Sequence, residues 1–257
     1  MDLKGKISWV IGASSGIGAA LANELVSRGA IVAISARRAD QLNEVSGGRM
    51  LVLPADVTDL PSLERAAAQI REKLGPIDIA VISAGYWKQM SGKNWQVQTF
   101  NDHVNINLIG TSNAINVVLP EMLEQGSGLI AGISSVAGFR GLPGSEAYGA
   151  TKAAQINLLE ALRITLAPSN VGVTTICPGF VRTELTAGNA FPMPFIIDAE
   201  EAGRAICDGF EKDRLVIVFP KQMAILMKIA QFVPARLWVT LMTRNKSRQR
   251  GKTNENL

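Results

Sequence analysis

Tyr148 and Lys152 stand four residues apart, separated by Gly149-Ala150-Thr151, in an apolar-periodic stretch at 147–167 that predicts a helix. That spacing puts both side chains on one helix face, where an ammonium beside a phenol favours the ionised phenol. A free phenol titrates near 10. Lowering that by ~3 units takes roughly 4 kcal/mol of differential stabilisation, more than one lysine supplies. Taken alone, the pair fits an ordinary amphipathic helix better than it fits proton transfer. It is accompanied by Ser134 and Ser135, which end an apolar run, Leu129–Ser134, that reads as a strand. Open parallel sheets bind ligands at the carboxyl ends of their strands, so a hydroxyl there can donate to a carbonyl oxygen.

A second set of residues suits an anion. Gly12-Ala13-Ser14-Ser15-Gly16-Ile17-Gly18 follows the apolar run Ile7–Ile11 and opens a helical pattern. Glycines there let the backbone approach a pyrophosphate, and a helix N-terminus offers free N–H groups and a positive dipole end. After the next run, Ile31–Ser35, come Ala36-Arg37-Arg38. An NAD-selective site holds the adenosine ribose with a carboxylate at this point, and none is present. Arg37 can instead meet a 2′-phosphate in a charge-assisted pair, with Arg38 and Ser14 or Ser15 sharing the contact. The expected cofactor is therefore NADP(H), with NAD(H) the alternative.

The elements that must position these residues alternate. Strands are expected at Ile7–Ile11, Ile31–Ser35, Met50–Leu53, Ile77–Ser83, Leu129–Ser134, Val171–Cys177 and Leu215–Phe219, with helical patterns at 16–28, 59–73, 101–123, 147–167 and 198–211. Short β-rich runs between longer helical ones predict an α/β fold: a single-domain, Rossmann-like, doubly wound parallel sheet of about seven strands with helices on both faces. Near-continuous apolarity within the runs fits strands covered on both sides. The 257 residues, 47% hydrophobic, suffice for one substantial core. The segment from Thr183 to Ile197, rich in Gly, Pro and Phe, reads as a lid. Its Phe191, Pro192, Met193, Pro194, Phe195 and Ile196 suggest an apolar pocket.

Charge divides the chain into a catalytic and nucleotide-binding part, 1–220, and a basic, apolar helical extension, 221–257. The extension carries Lys221, Lys228, Arg236, Arg244, Lys246, Arg248, Arg250 and Lys252 against Glu255 alone, whereas the whole chain is only +4. It lacks a groove-binding motif and interleaved stacking aromatics, so nucleic acid is not expected. Its apolar stretches fall short of the ~20 residues a span requires. Contact with a membrane surface, a partner subunit or the protein's own core all fit. Two isolated cysteines, Cys177 and Cys207, form no disulfide or metal pattern, and Met1-Asp2-Leu3-Lys4 leads into the first strand without a cleavage-site pattern. A cytoplasmic setting with some membrane association is expected, and no metal.

Taken together and in order, Gly12-x-x-x-Gly16-x-Gly18, Asp56-Val57, Ser83-Ala84-Gly85, Asn107, Ile133-Ser134-Ser135, Tyr148-x-x-x-Lys152 and Pro178-Gly179 resemble the short-chain dehydrogenase/reductase family, in its single-domain classical branch, over about residues 4 to 220. The resemblance implies hydride transfer between a nicotinamide cofactor and a carbonyl or secondary alcohol. It implies that Tyr148 is the acid in reduction and the base in oxidation, and that Lys152 lowers the phenol pKa and binds the nicotinamide ribose. By the same resemblance Ser135 rather than Ser134 orients the substrate, Asn107 holds a proton-relay water, and Asp56 with Val57 faces the adenine. Pro178, Gly179, Val181 and Thr183 would surround the carboxamide. A homodimer or homotetramer pairing helices 101–123 and 147–167 is implied as well.

Two positions depart from the family pattern. Ile11 stands where Thr is usual, and Ser83 replaces the Asn of Asn-Ala-Gly, which predicts looser packing of the glycine loop. A catalytically idle cofactor-binding scaffold or sensor is the competing function. It would need the glycine loop but not Asn107, Ser135, Tyr148 and Lys152. His103, the only histidine, reads as a surface or half-buried side chain, Cys177 as packing, and Trp87 and Trp95 as pocket border or structure alike.

Overall fold

The computed structural model describes residues 1–189 and 191–243. Its central sheet holds β1 (Ile7–Ile11), β2 (Ile31–Ser35), β3 (Leu51–Val52), β4 (Ile79–Ile82), β5 (Gly128–Ile133), β6 (Val171–Pro178) and β9 (Val216–Phe219). All pairings are parallel, in the order β3-β2-β1-β4-β5-β6-β9. The chain winds outward from β1 to β3, then returns past β1 to β4 and winds the other way. The connections leaving β1 and β4 therefore diverge and open a crevice at the carboxyl edge. A separate parallel pair, β7 (Val181–Arg182) with β8 (Ile197–Asp198), closes the base of the expected lid.

Helices cover both faces. On one side α1 (Gly16–Ser27), α2 (Ala39–Ser46) and α8 (Ala199–Glu211) share a core with Val10, Val32 and Ile176. On the other, α3 (Leu60–Lys73), α5 (Gly110–Gln125) and α6 (Glu146–Leu166) share one with Trp9, Ile11 and Ile130. Alternate residues of β1 thus serve opposite cores, the burial on both faces that its apolar run predicts. Two short elements follow: α7 (Glu184–Ala187) after β7, and α9 (Lys221–Phe232) after β9, with residues 235–243 again helical. The part of the basic extension from 244 to 257 lies outside the described residues.

The seven expected strands are all present, the third shortened to two residues. Two helical features were not expected. α2 spans only eight residues and buries just Leu42 and Ser46, too little apolar signal to read as a period. The helix expected at 101–123 starts earlier, as α4 (Val97–His103), and contains a π-helical stretch, Val104–Ile109, before α5. A π turn inserts one residue and shifts the apolar phase, so a period of 3.6 cannot register it.

α6 lies close to the sheet because Gly132 of β5 has no side chain: a Cβ there would sit 2.5 Å from Leu159 Cδ1. Gly132→Val should force α6 outward. Overpacking of this kind costs ~1–3 kcal/mol, which is a fall in Tm of roughly 3–10 °C in a chain of this size. A variant as stable as the parent in thermal melts contradicts this contact.

Candidate active site

The glycine loop is shaped by backbone contact. Gly12 adopts φ +94°, and a Cβ on it would run into the backbone of Ala84 and Ser83 beyond β4. Gly18 is equally confined, against the Gly12 carbonyl and the Ser83 hydroxyl. Gly12 N–H donates to the Ser35 carbonyl at 2.6 Å and Ser83 N–H to that of Ile11 at 2.7 Å. The looser packing expected from Ile11 and Ser83 is therefore not observed: Ile11 is buried within β1, and the small Ser83 side chain fits under Gly18. This packing points the start of α1 into the crevice. No side chain caps that helix end, and no acidic residue occupies its first turn. Free amides, a positive dipole end and a cradle that any Cβ would fill are what a dinucleotide pyrophosphate requires, so the residues present fit that group.

A cleft of about 490 Å³ runs along this edge of the sheet. Every residue expected at the site lines it except Asn107: the loop residues Gly12, Ser14 to Gly18, Arg37, Arg38, Asp56, Val57, Ser83 to Gly85, Ser135, Tyr148, Lys152, Pro178, Gly179, Val181 and Thr183. Near the loop, Arg38 rather than Arg37 reaches inward. Its Nη2 donates to Ser14 Oγ at 3.2 Å, Ser15 Oγ at 3.3 Å and Glu184 Oε2 at 3.0 Å. Arg37 sits exposed at the mouth. The Arg38 hydrogen bond, helped by Ser15, holds the Glu184 carboxyl below its usual range. Glu184 did not stand out in the sequence. It matters because α7 folds back over Gly16, bringing Thr183 Cγ2 within 3.0 Å of where a Cβ would lie. Asp56 is turned into its own loop, accepting from the Thr58 amide at 2.9 Å and hydroxyl at 2.8 Å.

At the other end stand Ser135, Tyr148 and Lys152. Ser134 is committed to structure, its hydroxyl donating to the Lys152 carbonyl at 2.8 Å. Ser135 makes a long contact to the Pro178 carbonyl, 3.4 Å, accepts from the Ala137 amide and faces the Tyr148 phenol. The Lys152 ammonium donates to the Ile133 carbonyl at 2.9 Å and lies 5.5 Å from the centre of the Tyr148 ring. Burial pushes Lys152 down to about 7, and among the described residues no carboxylate offsets that cost. Burial also pushes the Tyr148 phenol up to about 12, outweighing its hydrogen bond with Ser135. The protein alone thus keeps Tyr148 protonated, contrary to the simple expectation from a lysine four residues away.

Asn107 lies behind the cleft wall in the π-helical stretch, wholly buried. Its amide bonds both backbone groups of Tyr86, accepting at 2.7 Å and donating at 3.1 Å, and donates to Thr151 of α6. Its carbonyl accepts from Thr111 Oγ1 and Gln155 Nε2, both at 2.7 Å. Both lone pairs are engaged, so the water-holding role implied by resemblance lacks an acceptor at that atom.

His103 is not a surface residue but fully buried. Nδ1 donates to the Thr99 carbonyl at 2.7 Å, the role a carbonyl partner dictates, and Nε2 accepts from the Lys88 amide. Burial holds its pKa below the usual value. Trp87 packs edge-on to Tyr148 at 5.1 Å and donates to Asn189 Oδ1 at 2.9 Å, whereas Trp95 is exposed and lies against Phe100. Among the described residues, no cluster of His, Cys, Asp or Glu is arranged to hold a metal.

A doubly wound sheet with an uncapped helix end and a Ser–Tyr–Lys cluster in one cleft defines a dinucleotide-dependent α/β oxidoreductase. The short chain dehydrogenase family pattern matches residues 6–190. An uncharacterized oxidoreductase of Myxococcus xanthus is 36% identical over 244 residues, covering 92% of this chain and 96% of that protein. A short-chain dehydrogenase from Streptomyces avermitilis superposes with a TM-score of 0.80 at 27% identity, over 96% of this chain and 98% of the other. A Burkholderia cenocepacia short chain dehydrogenase, solved in complex with NADP, has the same fold at 24% identity and TM-score 0.80, over 91% and 100% of the two chains. The chain belongs to the short-chain dehydrogenase/reductase family and is an NAD(P)-dependent oxidoreductase.

The unpaired, buried Lys152 has a consequence for stability. Between pH about 7 and 10.5 an unfolded lysine carries a proton that the folded one lacks, so this group's contribution to stability rises with pH across that window and is least below 7. Tyr148 acts oppositely above pH 10, where the folded state keeps the proton that the unfolded state loses. Without added nucleotide, Lys152→Met should flatten the rise between pH 7 and 9 and raise stability at pH 6. Urea melts at several pH values check this. An unchanged pH slope contradicts the assignment.

Proposed function

We propose that the protein transfers hydride between NADP(H) and the carbonyl or secondary alcohol of an apolar small molecule. The observation that carries this reading is a single cleft lined both by the glycine loop and by Ser135, Tyr148 and Lys152. When bound, the nicotinamide supplies or accepts the hydride. In reduction, the Tyr148 phenol delivers a proton to the carbonyl oxygen, and the Ser135 hydroxyl, exchanging its long contact to Pro178 for the substrate, donates to the same oxygen. Lys152 is the ribose contact and, once charged, favours phenolate for the oxidative direction. Asn107 is a positioning residue that ties Tyr86 and Thr151 around the cluster. Gly12, Gly16, Gly18, Ser14, Ser15 and Ile17 hold the pyrophosphate; Asp56, Val57 and Ser83 to Gly85 border the adenosine side, and Pro178, Gly179, Val181 and Thr183 the carboxamide.

Two features support the finer choices. The apolar substrate is supported by Trp87, Phe191 and Phe180, with Trp87 and Phe191 centroids 6.5 Å apart and Phe191 and Phe180 6.0 Å apart, beside Tyr148. NADP(H) is supported by the absence of a carboxylate at residues 36–38, directly after β2, and by Arg38, whose guanidinium already reaches the loop serines. An oligomer is supported by Ile109, Leu123 and Ile164, exposed on the long helices that family members pair.

Tyr148→Phe should reduce turnover by at least ~100-fold while the cofactor Kd stays close to that of the parent, since general acid catalysis contributes 10²–10⁴. Retention of more than about a tenth of the activity would mean another proton donor. Arg38→Ala should weaken NADPH binding by roughly ten- to a hundredfold and NADH binding far less, the worth of a charge-assisted hydrogen bond. Glu184→Gln, which frees Arg38 from its counter-ion, should tighten NADPH. Titration of both nucleotides decides the matter, and tighter NADH than NADPH binding by the parent protein excludes the NADP(H) assignment.

A further inference from the structure

The C-terminal helices bury one face and present the other. In α9, Met223, Met227 and Ala230 pack with Val136 and Cys177 in a small separate core. On the opposite face Ile225 is 62% exposed, Ile229 60% and Phe232 85%, with Leu226 beside them and Leu237 and Leu241 exposed beyond the turn. This is not a frayed end. Arg140 Nη2 donates to the Val233 carbonyl at 2.9 Å and Nη1 to that of Gln231 at 3.3 Å, its guanidinium lies 5.6 Å from the Trp238 ring, and Trp238 Nε1 donates to the Gly141 carbonyl at 2.9 Å. Apolar side chains are thus held outward by an anchored scaffold.

The charge of this region is one-sided. From Arg214 to Asn254 the sequence contains nine Lys and Arg and not one Asp or Glu. Lys221 and Lys228, two helical turns apart, sit along one edge of the exposed apolar face, where their stems can lie against it and their ammonium groups reach past it. We propose that this face docks on an anionic phospholipid bilayer, with Ile225, Ile229 and Phe232 entering the interface and the cations meeting lipid phosphates. None of the described helices is long and apolar enough to cross a membrane, so the helix lies in the interface plane. A second copy of the chain is a poorer occupant. A two-fold contact sets a patch against itself, and here it would press cations on cations. The inner face of α9 gives the docking a use: a Cβ on Gly179 would lie 2.8 Å from Met223 Cγ, so the helix on the bilayer also walls the catalytic end of the cleft. That use rests on the proposed apolar substrate, whereas the docking does not.

Flotation of the full-length protein with vesicles of phosphatidylcholine alone, or mixed with phosphatidylglycerol, tests this. The protein should float with the mixed vesicles and not with phosphatidylcholine alone. The variant Ile225→Ser/Ile229→Ser/Phe232→Ser and the variant Lys221→Glu/Lys228→Glu should each lose at least about tenfold in partitioning. NADPH affinity, read in parallel, should match the parent and shows that the variants are folded. Three results overturn the proposal: intact protein that stays with the soluble fraction, equal flotation on phosphatidylcholine alone, or a triple-serine variant that still floats. A triple-serine variant that instead falls from a larger to a smaller species in sedimentation, with no vesicle binding by the parent, assigns the face to contact between copies.

Discussion

The side chain of Lys152 is almost fully enclosed, and its nearest hydrogen-bonding partner is the carbonyl of Ile133 at the end of β5. Removing an ammonium from water without a counter-ion is costly, and the surrounding structure is what holds it there. The closeness of α6 to the sheet depends on Gly132, and its register on the Ser134 hydroxyl bonded to the Lys152 carbonyl. These contacts bring Tyr148 to the edge of the cleft beside Ser135. The Ser–Tyr–Lys cluster is therefore a property of one helix pressed on one strand end, and the rest of the fold serves to keep that pair in place.

The phosphate end obeys a different constraint. There the backbone of the glycine loop touches the backbone beyond β4, and the contact leaves the first amides of α1 without a capping side chain. The charges at the mouth are exposed: Arg38 and Glu184 retain about half or more of their side-chain surface. An ion pair in such a setting contributes at most ~1 kcal/mol. Arg38 can then exchange Glu184 for a phosphate at little cost. The small helix α7, which carries Glu184, lies over Gly16 through Thr183, so the same segment touches both the glycine loop and Arg38.

The C-terminal helices join the Ser135 end of the cleft to the outer surface. Arg140, five residues beyond Ser135, carries the turn after α9 on its guanidinium, and Met223 abuts Gly179. Residues that the charge pattern sets apart from 1–220 are packed directly against it.

Much of this was legible in the chain. The alternation of apolar runs, the positions of Gly12, Gly16 and Gly18, and the four-residue spacing of Tyr148 and Lys152 determined the class of fold, the edge of the sheet where the glycine loop lies and the shared helix face of Tyr148 and Lys152, because each depends on neighbours within one element or one turn. What the tertiary structure decided depends on distance across elements. Arg38 rather than Arg37 reaches the loop because α2 begins at Ala39 and sets the direction of the preceding side chain. Glu184 enters the site because α7 folds back. Asn107 turns inward within a π turn that shifts the helix phase, and His103, just before that turn, packs against Tyr86 as well. The upward shift of the Tyr148 phenol is likewise invisible in the sequence: spacing reports that a cation is near, but only the packed interior determines how much water is excluded from both groups, and here exclusion outweighs attraction.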